Sequence, residues 1–312
     1  MTRGGPVKIG TRGSPLALIQ AESVAGVLRR LGAQVELVPV RTEGDRRLEV
    51  QLASIGGKGL FVREIEEMLL AGTLDCAVHS LKDLPAEMPG GLTLAAFPER
   101  EDARDVLITR EARRLDTLRP GARIGTGSPR RRALALAARS DLVVEPLRGN
   151  VETRLRKLES EGLDGVLLAA AGLRRLGITP AHVQPLDADV FVPAIGQGVL
   201  AVESRAGDAR TASLLSQLDH APTRACALAE RACLAGLGAT CSSPVAAHAT
   251  QAGRDLRMTA LVASEDGRKV LRASGTEASE GAESLGRRLA ASLLDQGASS
   301  IAPLQPGKPW RE

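Results

Sequence analysis

Apolar residues in this chain follow two rhythms. Short runs rich in β-branched and aliphatic side chains alternate with longer stretches whose apolar positions recur at helical spacing, and glycines mark the joins. Pro6–Gly10 reads as a strand and Pro15–Leu31 as an amphipathic helix stopped by Gly32. Gln34–Val40 reads as a strand, Leu60–Ala71 as a helix stopped by Gly72, and Leu74–Val78 as a short buried strand. Between them, Arg41–Gly59 holds Gly44, Gly56, Gly57 and Gly59 among mixed charges, the pattern of a mobile loop. The same order then returns. Strand Ala122–Thr126, helix Pro129–Arg139, strand Leu142–Pro146, helix Val151–Glu161 and strand Gly165–Ala169 follow one another. Helices alternating with buried strands predict a mostly parallel sheet in each of two similar lobes.

The lobes join at a charged crossing, Phe97-Pro98-Glu99-Arg100-Glu101-Asp102, and again at Phe191–Gly198, after which Val199–Glu203 reads as a strand returning to the first sheet. Two crossings predict a hinge. From Asp219 the texture changes to one long helix ending at Leu237, three antiparallel strands within Val245–Ser274, and a helix over Ser279–Asp295. The expected division is 1–98 with 199–217 as the first α/β lobe, 104–192 as the second, 219–302 as a small α+β domain, and 303–312 as a loose tail.

The lobes also share a motif. Lys8-Ile9-Gly10-Thr11-Arg12-Gly13-Ser14-Pro15 recurs, one residue shorter, as Arg123-Ile124-Gly125-Thr126-Gly127-Ser128-Pro129. Ser suits the helix N-cap, because its hydroxyl accepts an orphan backbone N–H, and Pro suits the first helical position. Such a helix start attracts anions. Arginines flank both copies: Arg12 in the first, and Arg130, Arg131 and Arg132 in the second. The pattern predicts a small, multiply negative ligand.

Composition narrows the classes. A length of 312 residues allows two or three domains with ample core. The start carries no signal-peptide pattern and no apolar run approaches the ~20 residues of a membrane span, so the cytosol is expected. A net charge of +4 does not demand nucleic acid, and an aromatic fraction of 1% counts against single-strand binding, which leans on stacking rings. Four cysteines at irregular spacing, with no CxxC pair, predict neither a disulfide framework nor a ribbon-type zinc site. Cys226, Cys233, Cys241 and His248 lack tight ligand spacing, so no metal is expected.

Several residues remain as candidates for chemistry. Lys82 and Asp83 lie just past the strand Leu74–Val78, at the end of an α/β sheet where ligands bind. A carboxylate there suits proton transfer or the steadying of a developing cation. The competing reading makes Asp83 a helix cap and Lys82 a solvated charge. Arg148 and Arg154 begin the second lobe's second helix, where they can join Arg130 and Arg131 in gripping carboxylates bidentately. The competing reading is a solvated helix face, and replacing Arg139, outside these motifs, is expected to do little to ligand binding. Cys241, in the turn-rich Gly238–Pro244 segment, is placed where a thiolate can be exposed and reactive, whereas Cys76, Cys226 and Cys233 read as core. Gly56-Gly57-Lys58-Gly59 is not a P-loop, Gly125-Thr126-Gly127 lacks the third glycine of a dinucleotide turn, and there is no G-x-S-x-G elbow.

Taken together, Gly56–Arg63, His79–Pro85, Gly125–Arg131, Leu147–Arg154, Ala170–Leu176, Pro193–Gly198 and the Cys241 segment closely resemble the porphobilinogen deaminase (hydroxymethylbilane synthase) family. The likeness runs from Ile9 to about His248; residues 250–312 match in texture only. It implies two hinged lobes of the type II periplasmic-binding-protein kind plus a small α+β domain. It implies a transferase of tetrapyrrole biosynthesis that joins four porphobilinogen molecules head to tail, releasing ammonia, on a covalent dipyrromethane primer held by a thioether. The family's attachment cysteine corresponds to Cys241 and its catalytic aspartate to Asp83. Its carboxylate binders correspond to Arg12, Ser14, Lys82, Ser128, Arg130, Arg131, Arg148, Arg154 and Arg175. Gln197 falls in the hinge motif, and Lys58 and Phe61 in the loop that covers the family's cleft. Ser54 stands where some relatives have lysine, and Cys233 where the motif often has an aromatic. The expected enzyme is a cytoplasmic monomer with no nucleic-acid or membrane partner. The rival reading is a two-lobed binding protein for a small polyanion.

Overall fold

The computed structural model describes residues 5–41, 62–240 and 242–306. Most of the expected Arg41–Gly59 loop, together with Ser54, Lys58, Phe61, Cys241 and the end of the tail with Trp310, lies outside the described residues. The chain divides into two compact units, Met1–Arg100 with Val199–Arg224, and Glu101–Gly198 with Ala225–Glu312.

In the first unit, strands β1 (Val7–Arg12), β2 (Val35–Val40), β3 (Cys76–Ser80) and β4 (Leu92–Ala96) are joined by the late strand β10 (Leu200–Arg205), in the order β2-β1-β3-β10-β4. Ser14 accepts a hydrogen bond from the backbone N–H of Ala17, and with Pro15 it starts the helix Pro15–Arg30. This helix buries Ala21, Val24, Ala25 and Leu28 in a cluster with Ile9, Cys76, Val78 and Val202. The helix Arg63–Leu70 supplies Ile65 and Leu69 to a second cluster with Leu74, Ala77 and Leu92. Alternate residues of β3 (Cys76 and Val78, then Ala77) thus serve different cores, which is why the strand reads as a continuous apolar run.

The second unit repeats the plan with β5 (Asp105–Thr109), β6 (Arg123–Thr126), β7 (Val143–Pro146), β8 (Gly165–Ala169) and β9 (Val183–Pro185), ordered β7-β6-β8-β5-β9. Each sheet is mixed, with four strands running one way, as expected, and one reversed. β1 pairs in parallel with β2 and β3, and β6 with β7 and β8, through helical crossovers. The fourth place is antiparallel in each, held by β10 in the first sheet and β5 in the second. Those two strands follow the two chain crossings, so they enter their sheets from the opposite end.

The second unit also holds the antiparallel sheet β11 (Val245–Ala252), β12 (Asp255–Ala263) and β13 (Val270–Ala278), packed on the helices Ala221–Leu237 and Ala282–Asp295 around Cys233, Met258, Leu285 and Leu289. A second cluster, in which Ala246, Leu261 and Ala263 meet Leu107, Leu134 and Phe191, ties this small domain to the α/β sheet of the same unit. The first residues of the expected loose tail are anchored: Gln305 N–H donates to Gly238 O and Ser243 Oγ–H to Pro303 O, at 3.1 and 2.8 Å.

Candidate active site

Four of the described candidate residues fall in the first unit. Arg12 ends β1, Ser14 caps the helix that follows, and Lys82 and Asp83 lie in the one-turn helix Leu81–Asp83 directly after β3. Because β1 and β3 are parallel neighbours, with Ile9 opposite Cys76, these residues share the carboxyl edge of one sheet. Lys82 and Asp83 are exposed, whereas Leu81 and Leu84 on either side are buried and fix the turn. Leu81 N–H donates to Val199 O at 3.0 Å, and Gln20 Nε2 donates to Ser80 Oγ at 2.9 Å. Asp83 does not cap a following helix: Leu84 is extended and the chain then runs through bends and a turn to β4.

The other described candidates fall in the second unit, on the matching edge. Ser128 Oγ accepts the N–H of Arg131 and, with Pro129, starts the helix Pro129–Ala138; Asn150 caps the helix Val151–Ser160 in the same way through Thr153. Two helix N-termini therefore present free N–H groups at one sheet edge. Arg130 and Arg131 do not reach into solvent. They are 3% and 5% exposed, and their partner is the chain's own Asp105, which is fully buried. Arg130 Nη1 donates to Asp105 Oδ2 at 2.6 Å and to Val192 O at 2.8 Å; Arg131 Nε donates to Asp105 Oδ1 at 2.9 Å and Nη1 to Leu167 O at 3.1 Å. Gln197 Nε2 adds bonds to the same carboxylate and to Ala103 O, at 2.9 and 2.6 Å, and its Oε1 accepts from Arg131. Burial alone would raise the Asp105 carboxyl, but the two guanidinium charges and the hydrogen bonds hold it well below the usual carboxylate range. Burial lowers the Arg131 guanidinium, with Asp105 opposing.

Charge does not balance at this cluster. Two guanidiniums meet one carboxylate, and the buried Arg130 Nε–H has no hydrogen-bond partner among the described residues. Nearby in sequence, Arg148 is exposed and makes no side-chain hydrogen bond or ion pair among the described residues. Arg154 Nε is turned back onto Gly149 O at 2.8 Å, and Arg175 Nη2 donates to Gly198 O at 2.7 Å. A surplus positive charge, an orphaned buried donor and two helix N-termini suit a ligand with several carboxylates.

One residue had gone unrecognised in the sequence. Asp105 is the hub of the arginine cluster, and its signal was a lone acid opening the otherwise apolar run Asp105-Val106-Leu107-Ile108. Arg139, outside the motifs, pairs with Asp141 and donates to the carbonyls of Leu115 and Leu118, a structural set of partners. Cys76, Cys226 and Cys233 are buried, and burial pushes the Cys76 and Cys233 thiols up to about 12. Among the described residues no cluster of three or more His, Cys, Asp or Glu is arranged to hold a metal ion, and no helix is long and apolar enough to cross a membrane.

Comparison with known proteins gives a consistent result. Residues 7–213 match the family model described as porphobilinogen deaminase, dipyrromethane cofactor binding domain, and residues 224–295 match porphobilinogen deaminase, C-terminal domain. The porphobilinogen deaminase of Syntrophotalea carbinolica is 50% identical over 297 residues, covering 95% of this chain and 94% of that one. That of Syntrophus aciditrophicus is 48% identical over 306 residues, covering 97% and 100%. Among solved structures, a periplasmic substrate-binding protein of an ABC transporter from Coxiella burnetii aligns over 70% of this chain and 93% of its own, at 17% identity and a TM-score of 0.41. With both family models matched in order and a relative half identical from end to end, the chain belongs to the porphobilinogen deaminase family.

Proposed function

We propose that Asp83 handles protons, and that the basic residues grip carboxylates, in the condensation of four porphobilinogen molecules head to tail into hydroxymethylbilane with release of ammonia. The observation that carries this reading is the placement of Asp83 and Lys82, both exposed, on a turn fixed by buried leucines at the carboxyl edge of the first sheet.

Each porphobilinogen brings an acetate and a propionate, so binding calls for cations. Arg12, Ser14 and Lys82 supply donors on the first unit. On the second, the helix starts at Ser128 and Asn150, the surplus charge of the Arg130–Arg131–Asp105 cluster, and Arg148, Arg154 and Arg175 do the same. These residues fit a dipyrromethane, whose side chains are also carboxylates. When bound, that group supplies the pyrrole carbon to which the first unit is joined. Cys241 is assigned to its thioether, since the other three cysteines are buried. Departure of the substrate's aminomethyl nitrogen requires a proton and leaves positive charge on its ring. The Asp83 carboxyl delivers the proton; ionised, it stabilises the charge and takes back the α-hydrogen released on coupling. Gln197 holds Asp105 and so keeps Arg131 in place. The same reading makes the enzyme a cytoplasmic monomer without a nucleic-acid partner, in keeping with its modest net charge and 1% aromatic content.

Intact mass spectrometry and single-turnover elongation test the assignment. Protein reconstituted with porphobilinogen should exceed its sequence mass by two deaminated pyrrole units, and Cys241→Ala should not. Loaded Asp83→Asn should keep its fold and bind substrate while elongating about 10²–10⁴-fold more slowly. A bare sequence mass would favour the two-lobed binding protein instead, and elongation within a few-fold of the parent would remove Asp83 from the chemistry.

A further inference from the structure

Immediately before the Lys82–Asp83 turn, the first unit buries a polar pair that the reaction does not use. His79 on β3 is 5% exposed and Glu203 on β10 is fully buried; His79 Nε2–H donates to Glu203 Oε2 at 3.1 Å. The antiparallel register sets Ala201 opposite His79 and Glu203 opposite Ala77, so all four share one face. That face packs against Ile65, Leu69, Leu74 and Leu92. Glu66, on the helix Arg63–Leu70, is buried beside the pair. Burial first, and then the Glu203 charge, pushes its carboxyl up to about 7, with His79 opposing. Glu203 Oε1 and Glu66 Oε1 have no hydrogen-bond partner among the described residues.

As a stabilising device this is a poor choice. A buried polar pair with one carboxylate oxygen unsatisfied gains little over apolar side chains of the same size, which are often as good or better. The sheet also breaks its regularity here: the pairing of β10 with β4 shifts between Val202 and Glu203, the kind of irregularity that re-aims a side chain. What the pair offers is selectivity of register. β3 reads Cys76-Ala77-Val78-His79-Ser80 and β10 reads Leu200-Ala201-Val202-Glu203-Ser204. On the face in question the paired residues of the two strands are alanines apart from His79 and Glu203. A slip by two that set Ala201 opposite Ala77 would keep the small apolar contacts but break the polar pair; a slip in the other sense would set Val202 opposite Ser80 and part it from Val78 in the core of the other face. Beyond Ser80, which pairs with Leu200, Leu81 N–H reaches Val199 O and the turn with Asp83 begins.

We propose that His79 and Glu203 are a positioning pair for Asp83: their buried hydrogen bond fixes β3 against β10 and so the point from which the Leu81–Asp83 turn leaves the sheet. The proposal rests on the reading of Asp83 as the proton-handling group. It is tested on dipyrromethane-loaded enzyme by comparing the parent with His79→Leu/Glu203→Met, Glu203→Gln and Asp83→Asn in kcat, KM for porphobilinogen and Tm. The apolar double variant should match or exceed the parent's Tm and keep KM within about twofold, while kcat falls about tenfold or more. Glu203→Gln retains an acceptor for His79 and should keep kcat within about threefold. If the double variant does not fold, Glu203→Met alone serves in its place. A kcat within twofold of the parent in the apolar variant overturns the proposal. So does a loss that Glu203→Gln shares in full and that follows Tm. Asp83→Asn separates the two readings. If it elongates like the parent, the site assignment fails. If it collapses while the pair variants do not, only the positioning role fails.

Discussion

Asp105 receives hydrogen bonds from Arg130, Arg131 and Gln197 where water does not reach, and this sets what each arginine is for. Arg130 and Arg131 are structural and electrostatic at once, since they balance a buried carboxylate and leave one positive charge over. Arg148 is exposed and makes no side-chain hydrogen bond or ion pair among the described residues, which leaves it open to solvent or, on the proposed function, to a substrate carboxylate. The two kinds should separate on substitution. Asp105→Asn leaves two buried guanidiniums without their counter-charge and should cost about 3–5 kcal/mol in urea unfolding. Arg148→Ala should leave stability within about 0.5 kcal/mol but slow elongation or cofactor assembly about tenfold, the equivalent of one lost charged hydrogen bond. Equal effects of the two substitutions on stability would contradict this division. The difference was not visible in the sequence, where all four arginines look alike beside Ser-Pro and Gly-Asn helix starts. Spacing reports which residues reach an edge of the sheet, but not which internal carboxylate has already taken them.

Elements were far more legible than partners. The Ser-Pro helix starts stand where the sequence puts them, because a cap hydroxyl and a proline are local signals that tertiary packing need not override. Gly165–Ala169 is a strand over the expected residues, and Pro15–Leu31 differs from the observed helix by one residue. The repeated Ile-Gly-Thr has a packing reason: a side chain at Gly10 would strike Leu74, and one at Gly125 would strike Leu163 and Leu147. Less visible were β4, β5 and β9, short strands whose partners are distant in sequence and whose periodicity is too brief to identify. The fourth strand of the first sheet, β10, falls where Val199–Glu203 was expected to return; only its antiparallel direction was not legible. The crossing at Gly198 gives a sharper test of element geometry. Its φ is +85°, and a side chain there would run into Glu101 O, while its carbonyl accepts from Glu101 N–H and from Arg175. Gly198→Ala should cost about 2 kcal/mol or more. At Gly253, with φ +65° and open space around the position, the same change should cost only about 1 kcal/mol. Urea unfolding of the two variants checks the ranking.

For the whole molecule, pH is the lever that adds these local charges together. The folded Glu66 carboxyl, raised from 4.5 to about 7, holds its proton more tightly than the unfolded chain does. Its contribution is complete below its unfolded value and disappears as pH rises from 4.5 toward 7, a loss of about 3 kcal/mol at most. Asp105 acts in the opposite sense. Its carboxyl is lowered from 3.8, so its contribution is present above that value and is lost as pH falls; Asp102, Asp208 and Asp164, also lowered, add to the same acid limb. Stability should therefore peak at roughly pH 4–5 and decline on both sides. Urea unfolding across pH should show Glu66→Gln flattening the decline between 4.5 and 7 while the acid limb persists; an unchanged slope would exclude Glu66 as its source. The buried thiols have a consequence of a different kind. With pKa values near 12, Cys76 and Cys233 present roughly one thiolate in ten thousand at pH 8, and Cys226 is shut away by burial. On the proposed attachment at Cys241, an alkylating reagent offered to the native chain, unloaded or loaded with the primer, should leave Cys76, Cys226 and Cys233 unmodified. After denaturation the two forms should take up four and three equivalents, so plain stoichiometry reads out how much of a preparation has been primed.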